Sequence, residues 1–374
     1  MIEALRKAAL NGGGGKRGNR DYVTAPSVKL ARMADEFSAE LSHDDPAERL
    51  SVLQLVAMSK GLNLALPDSE PLEIVVLARG SSRRVVFKPG RLQRVRQRIL
   101  LDLLDAIFPS PSNEFGRRGV RRAWQHIRGF LSDPSVTHFV VADISNFYGS
   151  INQDWVMEES PFPERVAEAA LSPDSYRFRL NGSLLTLEEV PWLRGPLSPG
   201  GWAGLLPGLA ISPALAERAS ARLCDLIQEL IGYRPLICTY VDDILLAARG
   251  AEEAERLKEA LEEAVRRHPA GPFRLGRGPI IYSLSREAPY LGLMLGRQDG
   301  LPTVRRQSER SARVWNKFYD TAEAEFLHVD PNHGQAIDIL RGIEGAFGWI
   351  PEERELLEEW RGLYDLPSRI YPTV

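Results

Sequence analysis

Leu236-Ile237-Cys238-Thr239-Tyr240-Val241-Asp242-Asp243-Ile244-Leu245-Leu246-Ala247-Ala248 holds two apolar runs on either side of a short acidic step. Apolar, partly β-branched runs of four or five residues broken in this way read as strand, tight turn and strand. Upstream, residues 137–142 (THFVVA) form another apolar run that ends in Asp143. With these strands side by side in one sheet, Asp143, Asp242 and Asp243 meet at its edge. Crowded carboxylates repel one another, and a bound divalent cation is the simplest relief. Oxygen-only donors suit Mg2+. Two such ions about 3.5–4 Å apart can serve both the attacking and the leaving oxygen of an in-line phosphoryl displacement. Taken singly, the features have plainer readings: Asp-Asp suits an ordinary hairpin turn, and Asp143 a helix or loop cap.

Working outward, residues 213–231 and 251–268 have helical periodicity. Leu215, Ala219, Leu223 and Leu226 stripe the first, and Leu257, Leu261 and Val265 the second. Residues 280–284 and 290–295 are strand-like. Toward the N-terminus, residues 46–64 read as a helix with Leu50, Leu53, Val56 and Ala57 on its apolar face. Residues 73–77 and 84–87 read as short strands, and 94–108 as a helix striped by Val95, Ile99, Leu103 and Ile107. The tail, residues 304–364, is mostly helical by pattern, punctuated by Pro302, Pro331 and Pro351. Strands and helices mixed without strict βαβ alternation predict an α+β protein. The Gly-rich residues 11–18 read as a flexible joint. They are no phosphate-binding loop, because no strand precedes them and no Gly-Lys-Ser/Thr follows.

The 374-residue chain is 44% apolar and 26% charged, which excludes collagen-like, disordered and disulfide-scaffold classes. No apolar run is long enough for a transmembrane helix, and the N-terminus lacks the apolar core of a secretory signal. Cys224 and Cys238 sit among apolar residues and read as core thiols of a reducing cytosol. The net charge of -3 hides an asymmetry: residues 79–128 carry thirteen bases against three acids, whereas 251–264 carry six glutamates against two bases. An electropositive channel on an acidic protein has this signature, and so does a pair of solvated helix faces.

Tyr240-Val241-Asp242-Asp243 between apolar strands resembles motif C of reverse transcriptases. Asp143-Ile144-Ser145-Asn146-Phe147-Tyr148-Gly149-Ser150-Ile151 is similar to motif A of the bacterial branch. Gly208-Leu209-Ala210-Ile211-Ser212-Pro213 resembles motif B, and Tyr290-Leu291-Gly292-Leu293 is placed like motif E. Arg84, Val86 and Pro89, followed by the 94–108 helix and Phe115-Gly116-Arg117, resemble the fingers. Order and spacing agree from about residue 83 to residue 295, over half the chain. The resemblance implies a right-hand polymerase fold with an antiparallel-sheet palm, helical fingers and a helical thumb. It places an N-terminal helical extension at 1–63, fingers at 64–136, palm at 137–297 and thumb at 298–374.

The same resemblance implies roles residue by residue. Asp143, Asp242 and Asp243 would be catalytic metal ligands, with the Ile144 carbonyl as a further ligand. They would hold two Mg2+ ions, with Mn2+ as the alternative. Tyr148 matches the aromatic gate that excludes a ribonucleotide 2′-hydroxyl. Arg84, or its neighbour Arg83, matches the guanidinium that grips the incoming triphosphate. Gly208 would let the chain approach the nucleotide closely. Arg91, Arg94, Arg117, Arg118, Arg305, Arg306 and Arg310 are the candidate nucleic-acid contacts, while the thumb aromatics are expected mostly in the core. His126, His328 and His333 read as structural.

Departures from the family pattern are specific. Pro207 stands where motif B usually has glutamine, and no lysine lies between Lys258 and Lys317, so the motif D lysine is missing; Arg277 is the candidate replacement. Ala123-Trp124-Gln125-His126 partly matches a retron element, but Arg122 stands where asparagine should. The tail has no Val-Thr-Gly, and Ser212-Pro213 replaces the Ser-Gln of diversity-generating elements. By elimination the chain resembles stand-alone bacterial enzymes, many of them associated with phage defence. The implied partners are an RNA template, a DNA product and dNTPs, in the cytoplasm and away from membranes. A dedicated non-coding RNA, a partner protein or a homo-oligomer remains open. Template-independent or protein-primed synthesis, and a catalytically silent RNA-binding scaffold, are the alternative activities.

Overall fold

The computed structural model describes residues 16–42, 49–67, 70–79, 82–186, 204–326 and 335–363. Its strands in chain order are β1 (Leu72–Arg79), β2 (Ser82–Lys88), β3 (His138–Ile144), β4 (Phe178–Leu180), β5 (Ser183–Leu185) and β6 (Leu236–Tyr240). They continue with β7 (Asp243–Ala248), β8 (Leu275–Ser283), β9 (Ala288–Tyr290), β10 (Leu293–Gln298) and β11 (Leu301–Arg306). Three sheets result, ordered β2-β1-β4-β5, β6-β7-β3-β8 and β11-β10-β9. The chain divides into two compact units. The first comprises residues 1–111, 145–223 and 265–274; the second comprises 112–144, 224–264 and 275–374.

In the first unit, β1 and β2 pair antiparallel, and β1 also runs parallel to β4. Leu72, Ile74, Phe87, Tyr176, Phe178, Leu206 and Leu209 form the core beside this sheet, with the Phe87 and Phe178 rings 5.6 Å apart. Helix Arg91–Ile107 buries Val95, Ile99, Leu100, Leu103 and Leu104, close to the stripe expected from its periodicity. Buried Arg96 on the same helix donates to the carbonyls of Asn63, Leu64 and Leu66, which stitches the preceding loop to it. The helix expected over 46–64 is Val52–Gly61, started by a reciprocal Ser51–Gln54 capping box. Its expected face is wrong: Leu53 is 82% exposed, while Leu55 and Ser59 are buried. Ser59 goes inside at low cost because its hydroxyl donates to the Val56 carbonyl. Residues 11–15 of the Gly-rich joint lie outside the described residues, and residues 16–18 begin a helix rather than continue the joint.

In the second unit, β3 lies between β7 and β8, and every pairing in its sheet is antiparallel. The strands forecast from residues 137–142 and from the two runs around Val241 are all present. Their near-continuous apolar runs suit strands covered on both faces. Trp124, Ile127 and Phe130 of helix Val120–Ser132 pack with Phe139, Leu245, Tyr290 and Trp349 in one cluster. Each large side chain so buried contributes about 1.5–3 kcal/mol. The run expected over 290–295 is instead broken into β9 and β10 at Leu291 and Gly292, which both take positive φ. The tail is not helical from residue 304: Asp299 and Gly300, also at positive φ, turn β10 back into β11. Helices Ser308–Phe326, Gln335–Phe347 and Pro351–Leu363 follow, around a core that includes Trp315, Phe318, Leu340, Ile343 and Leu357. Among the described residues, no helix is long and apolar enough to cross a membrane.

Candidate active site

The acidic end of the second unit's sheet is built by strand register. Asp143 on β3 is the cross-strand partner of Asp243 on β7, and Tyr240 on β6 is the other partner of Asp243. Val241 and Asp242 form the two-residue connection between β6 and β7. Only Val241 has positive φ, +60°, which is the pattern of a type II′ hairpin turn. That turn normally takes glycine there, and a β-branched residue in the left-handed region costs about 1–3 kcal/mol. The Ile144 N–H donates to the Asp242 carbonyl at 2.9 Å, which ties the end of β3 to the turn.

On the other side of β3, the ladder with β8 is irregular around Asp143. A Cβ on Gly276 of β8 would collide with Asp143 Oδ2, so the carboxylate occupies a niche that only glycine leaves open. Asp143, Asp242 and Asp243 are all half-buried. Arg277, the candidate replacement for the missing lysine, is the β8 partner of Asp143 and is exposed. The donor set is oxygen only. It fits Mg2+, which takes one or two carboxylates and fills the rest of its shell with water and substrate phosphates. Among the described residues, no three His, Cys, Asp or Glu side chains gather to hold an ion by themselves, so water and substrate phosphates would complete its shell.

Two buried side chains brace the turn. Tyr290, 3% exposed, directs its hydroxyl to the carbonyls of Cys238 and Asp243, each at 3.1 Å. Burial raises its phenol well above the usual pKa, so it remains a donor. Glu114, which sequence reasoning passed over, is fully buried and accepts the N–H groups of Val241 and Gly116 through Oε1. Burial, helped by the nearby Glu114 and Asp243 charges, raises the Tyr240 phenol as well. Gly276 was also missed, because its role comes from a β3–β8 contact across more than a hundred residues of sequence. The Cys224 and Cys238 thiols are free, and burial raises both, Cys224 to about 12, so neither is a ready nucleophile.

The first unit carries the other expected nucleotide residues. Tyr148 is half-buried, edge-on to Phe147 at 6.3 Å, and its carbonyl accepts the Leu205 N–H. Gly208 has φ +106°, and a Cβ there would strike the Phe87 carbonyl oxygen, so this position requires glycine. The neighbouring Pro207 carbonyl accepts the Phe87 N–H at 2.7 Å, which fastens the loop to β2. The backbones of Arg83 and Arg84 lie on β2, opposite Ala78 and Leu77; their side chains lie outside the described residues.

The candidate nucleic-acid contacts separate into groups. Arg91 is paired with Glu40 and Arg94 with Glu36, and Arg305 is held by Glu287. Arg306 does not belong in the contact set: its buried side chain faces Glu353 at 3.2 Å and lies over the Phe347 ring. Arg117 is half-buried and Arg118 exposed, with Arg118 over the Phe115 ring. The Arg310 side chain lies outside the described residues, as do His328 and His333. His126 is structural, its Nε2 3.0 Å from the Ile237 carbonyl.

No curated protein matches the sequence. A solved structure, the RNA-dependent RNA polymerase of a human picorbirnavirus, is similar with a TM-score of 0.41 and 13% identity. The match covers 63% of this chain and 45% of that one, so the chain spans less than half the length of that polymerase. The family described as reverse transcriptase (RNA-dependent DNA polymerase) matches residues 79–270, just over half the chain. That segment contains Asp143, the Val241 turn with both its aspartates, Tyr148 and Gly208. The chain belongs to the reverse transcriptase family of RNA-dependent DNA polymerases.

Proposed function

We propose that this chain extends a primer 3′-hydroxyl with deoxynucleotides on an RNA template and releases pyrophosphate. The observation that carries the reading is the pairing of Asp143 with Asp243 beside the strained Val241-Asp242 turn, within the matched family segment. Asp143, Asp242 and Asp243, with the Ile144 carbonyl, would hold two Mg2+ ions. When bound, Mg2+ neutralises charge on the phosphates and makes the attacking hydroxyl more acidic. Arg84, or Arg83, grips the triphosphate through its planar guanidinium. The Tyr148 ring excludes a 2′-hydroxyl, and Gly208 allows close backbone approach. Arg277 supplies positive charge in place of the absent lysine. Its guanidinium acts there as a charge neutraliser rather than a proton donor.

In this reading, residues 64–136 act as fingers, 137–297 as palm and 298–374 as thumb, behind an extension at 1–63. Arg91, Arg94, Arg117, Arg118, Arg305 and Arg310 follow the phosphates. The protein works in the bacterial cytoplasm as a stand-alone enzyme of phage defence, with a non-coding RNA, a protein partner or a second copy still to be identified. One observation favours a second mode, template-independent or protein-primed synthesis. Pro207 has no N–H, and its carbonyl is taken by Phe87, so this loop offers no amide at that position for reading a templated pair.

The deciding experiment measures labelled dNTP incorporation with Mg2+, with and without a primed RNA template, beside Asp242→Asn. Incorporation that requires the primed template and vanishes in the variant supports the templated reading. Incorporation without template, or product linked to protein, moves the assignment to the second mode. RNA binding with no incorporation, even with co-purified RNA restored, leaves the silent scaffold and refutes the polymerase.

A further inference from the structure

We infer that Glu114 is a positioning residue for the acidic turn, holding Val241 in its left-handed conformation and so setting the aim of Asp242 and Asp243. The inference rests on the polymerase reading of that turn, but its geometry stands independently. Glu114 Oε1 accepts the Val241 N–H at 3.2 Å and the Gly116 N–H at 2.6 Å. The surrounding segment runs beside the end of β6. Asn113 accepts the Thr239 N–H at 2.8 Å, and the Phe115 N–H donates to the Thr239 carbonyl at 2.9 Å. Gly116 completes the seat, because a Cβ there would lie 2.5 Å from Val241 Cγ2. One short segment thus holds the Val241 amide, its side chain and the residue two before it.

The chemistry of the brace argues against simple space filling. Glu114 is fully buried, and its second oxygen, Oε2, makes no hydrogen bond among the described residues. A carboxylate buried with half its accepting capacity unused is a costly filler. It is well suited to one task, since an ionised carboxylate accepts two backbone N–H groups through a single oxygen. Val241 needs that help. Without glycine's freedom, the left-handed turn persists only if its surroundings fix it. Glu114 itself touches neither Asp242 nor Asp243 in the described contacts, so it acts through Val241.

The test compares wild type, Glu114→Ala and Glu114→Gln as full chains. Two quantities are read: amide hydrogen exchange in the peptide spanning Tyr240 to Asp243, and primer-extension kcat and KM for dNTP. Glu114→Ala should speed exchange and lower kcat, each by about tenfold or more, with KM within about twofold of wild type. Glu114→Gln keeps an acceptor oxygen and should recover both to within about threefold. Unchanged exchange in Glu114→Ala would overturn the brace. Lost protection with unchanged kcat would overturn the positioning role. Equal collapse of kcat and melting temperature in both variants would also overturn it, by making Glu114 a general structural residue. A wild-type chain that incorporates nothing would refute the polymerase reading alone, and the exchange ratio would still decide the brace.

Discussion

Gly276→Ala isolates the niche that holds the Asp143 carboxylate. Gly276 is exposed, and its φ lies outside the left-handed region, so alanine can adopt the backbone without strain. The added methyl would overlap Asp143 Oδ2 and lie 3.2 Å from Asp143 Cγ. To regain ordinary van der Waals separation, the carboxylate oxygen must retreat by about 1 Å. A short rotation of the aspartate provides that at about 0.5–1.5 kcal/mol, so the sheet should survive. Catalysis tolerates the shift far less well, because a misplacement of about 1 Å in a reacting constellation costs about a hundredfold. We expect primer-extension kcat to fall about a hundredfold while the melting temperature stays within about 3 °C. Gly278→Ala is the matched control, since a Cβ there meets nothing within 4 Å, and it should leave both quantities near wild type. A Gly276→Ala enzyme with kcat within about twofold of wild type would refute the reasoning.

Gly208→Ala combines a positive φ with a clash against the Phe87 carbonyl, and should destabilise the first unit by about 2–4 kcal/mol in urea unfolding. Burial holds the His268 imidazole at a pKa of about 4, below the unfolded value near 6.5. As pH falls through that window the unfolded chain takes the proton first, so stability is full above about 6.5 and declines toward 4. The loss should be about 2 kcal/mol between pH 6.5 and 5, and His268→Gln should flatten it in unfolding at the two pH values. Glu353→Ala removes the carboxylate facing buried Arg306 and the acceptor of the Trp315 and Ser311 donors. It should cost about 3–5 kcal/mol, and thermal melting followed by tryptophan fluorescence should show it.

What could be read from the sequence was local and periodic. The β6–turn–β7 hairpin and the Asp143 strand declared themselves through continuous apolar runs, and the helix over 91–107 through its four-residue steps. The motif resemblance then assigned them to a family that the comparison bears out. Asp299-Gly300 was a legible hairpin signal, overridden by the helical pattern that follows it. Leu291-Gly292 was harder, because a leucine at positive φ has no sequence signature. The first half of β8, Leu275-Gly276-Arg277-Gly278-Pro279, has little β-propensity and is a strand because β3 offers it a ladder. Gly276 and Glu114 were invisible for the same reason. Each matters through a contact with a residue far away in sequence, and no local pattern announces such a pairing.

The placement of β3 in the middle of its sheet also bears on how the protein is made. Its partners β7 and β8 lie about a hundred or more residues downstream. At about 5–20 residues per second, a ribosome needs roughly 5–20 s after completing β3 to deliver β7, and longer to deliver β8. Throughout that interval His138-Phe139-Val140-Val141-Ala142 emerges as an apolar segment without its neighbours, the kind of segment that recruits chaperones or joins another nascent chain. Synonymous changes that slow translation between residues 145 and 243 should therefore lower soluble yield without altering a single amino acid.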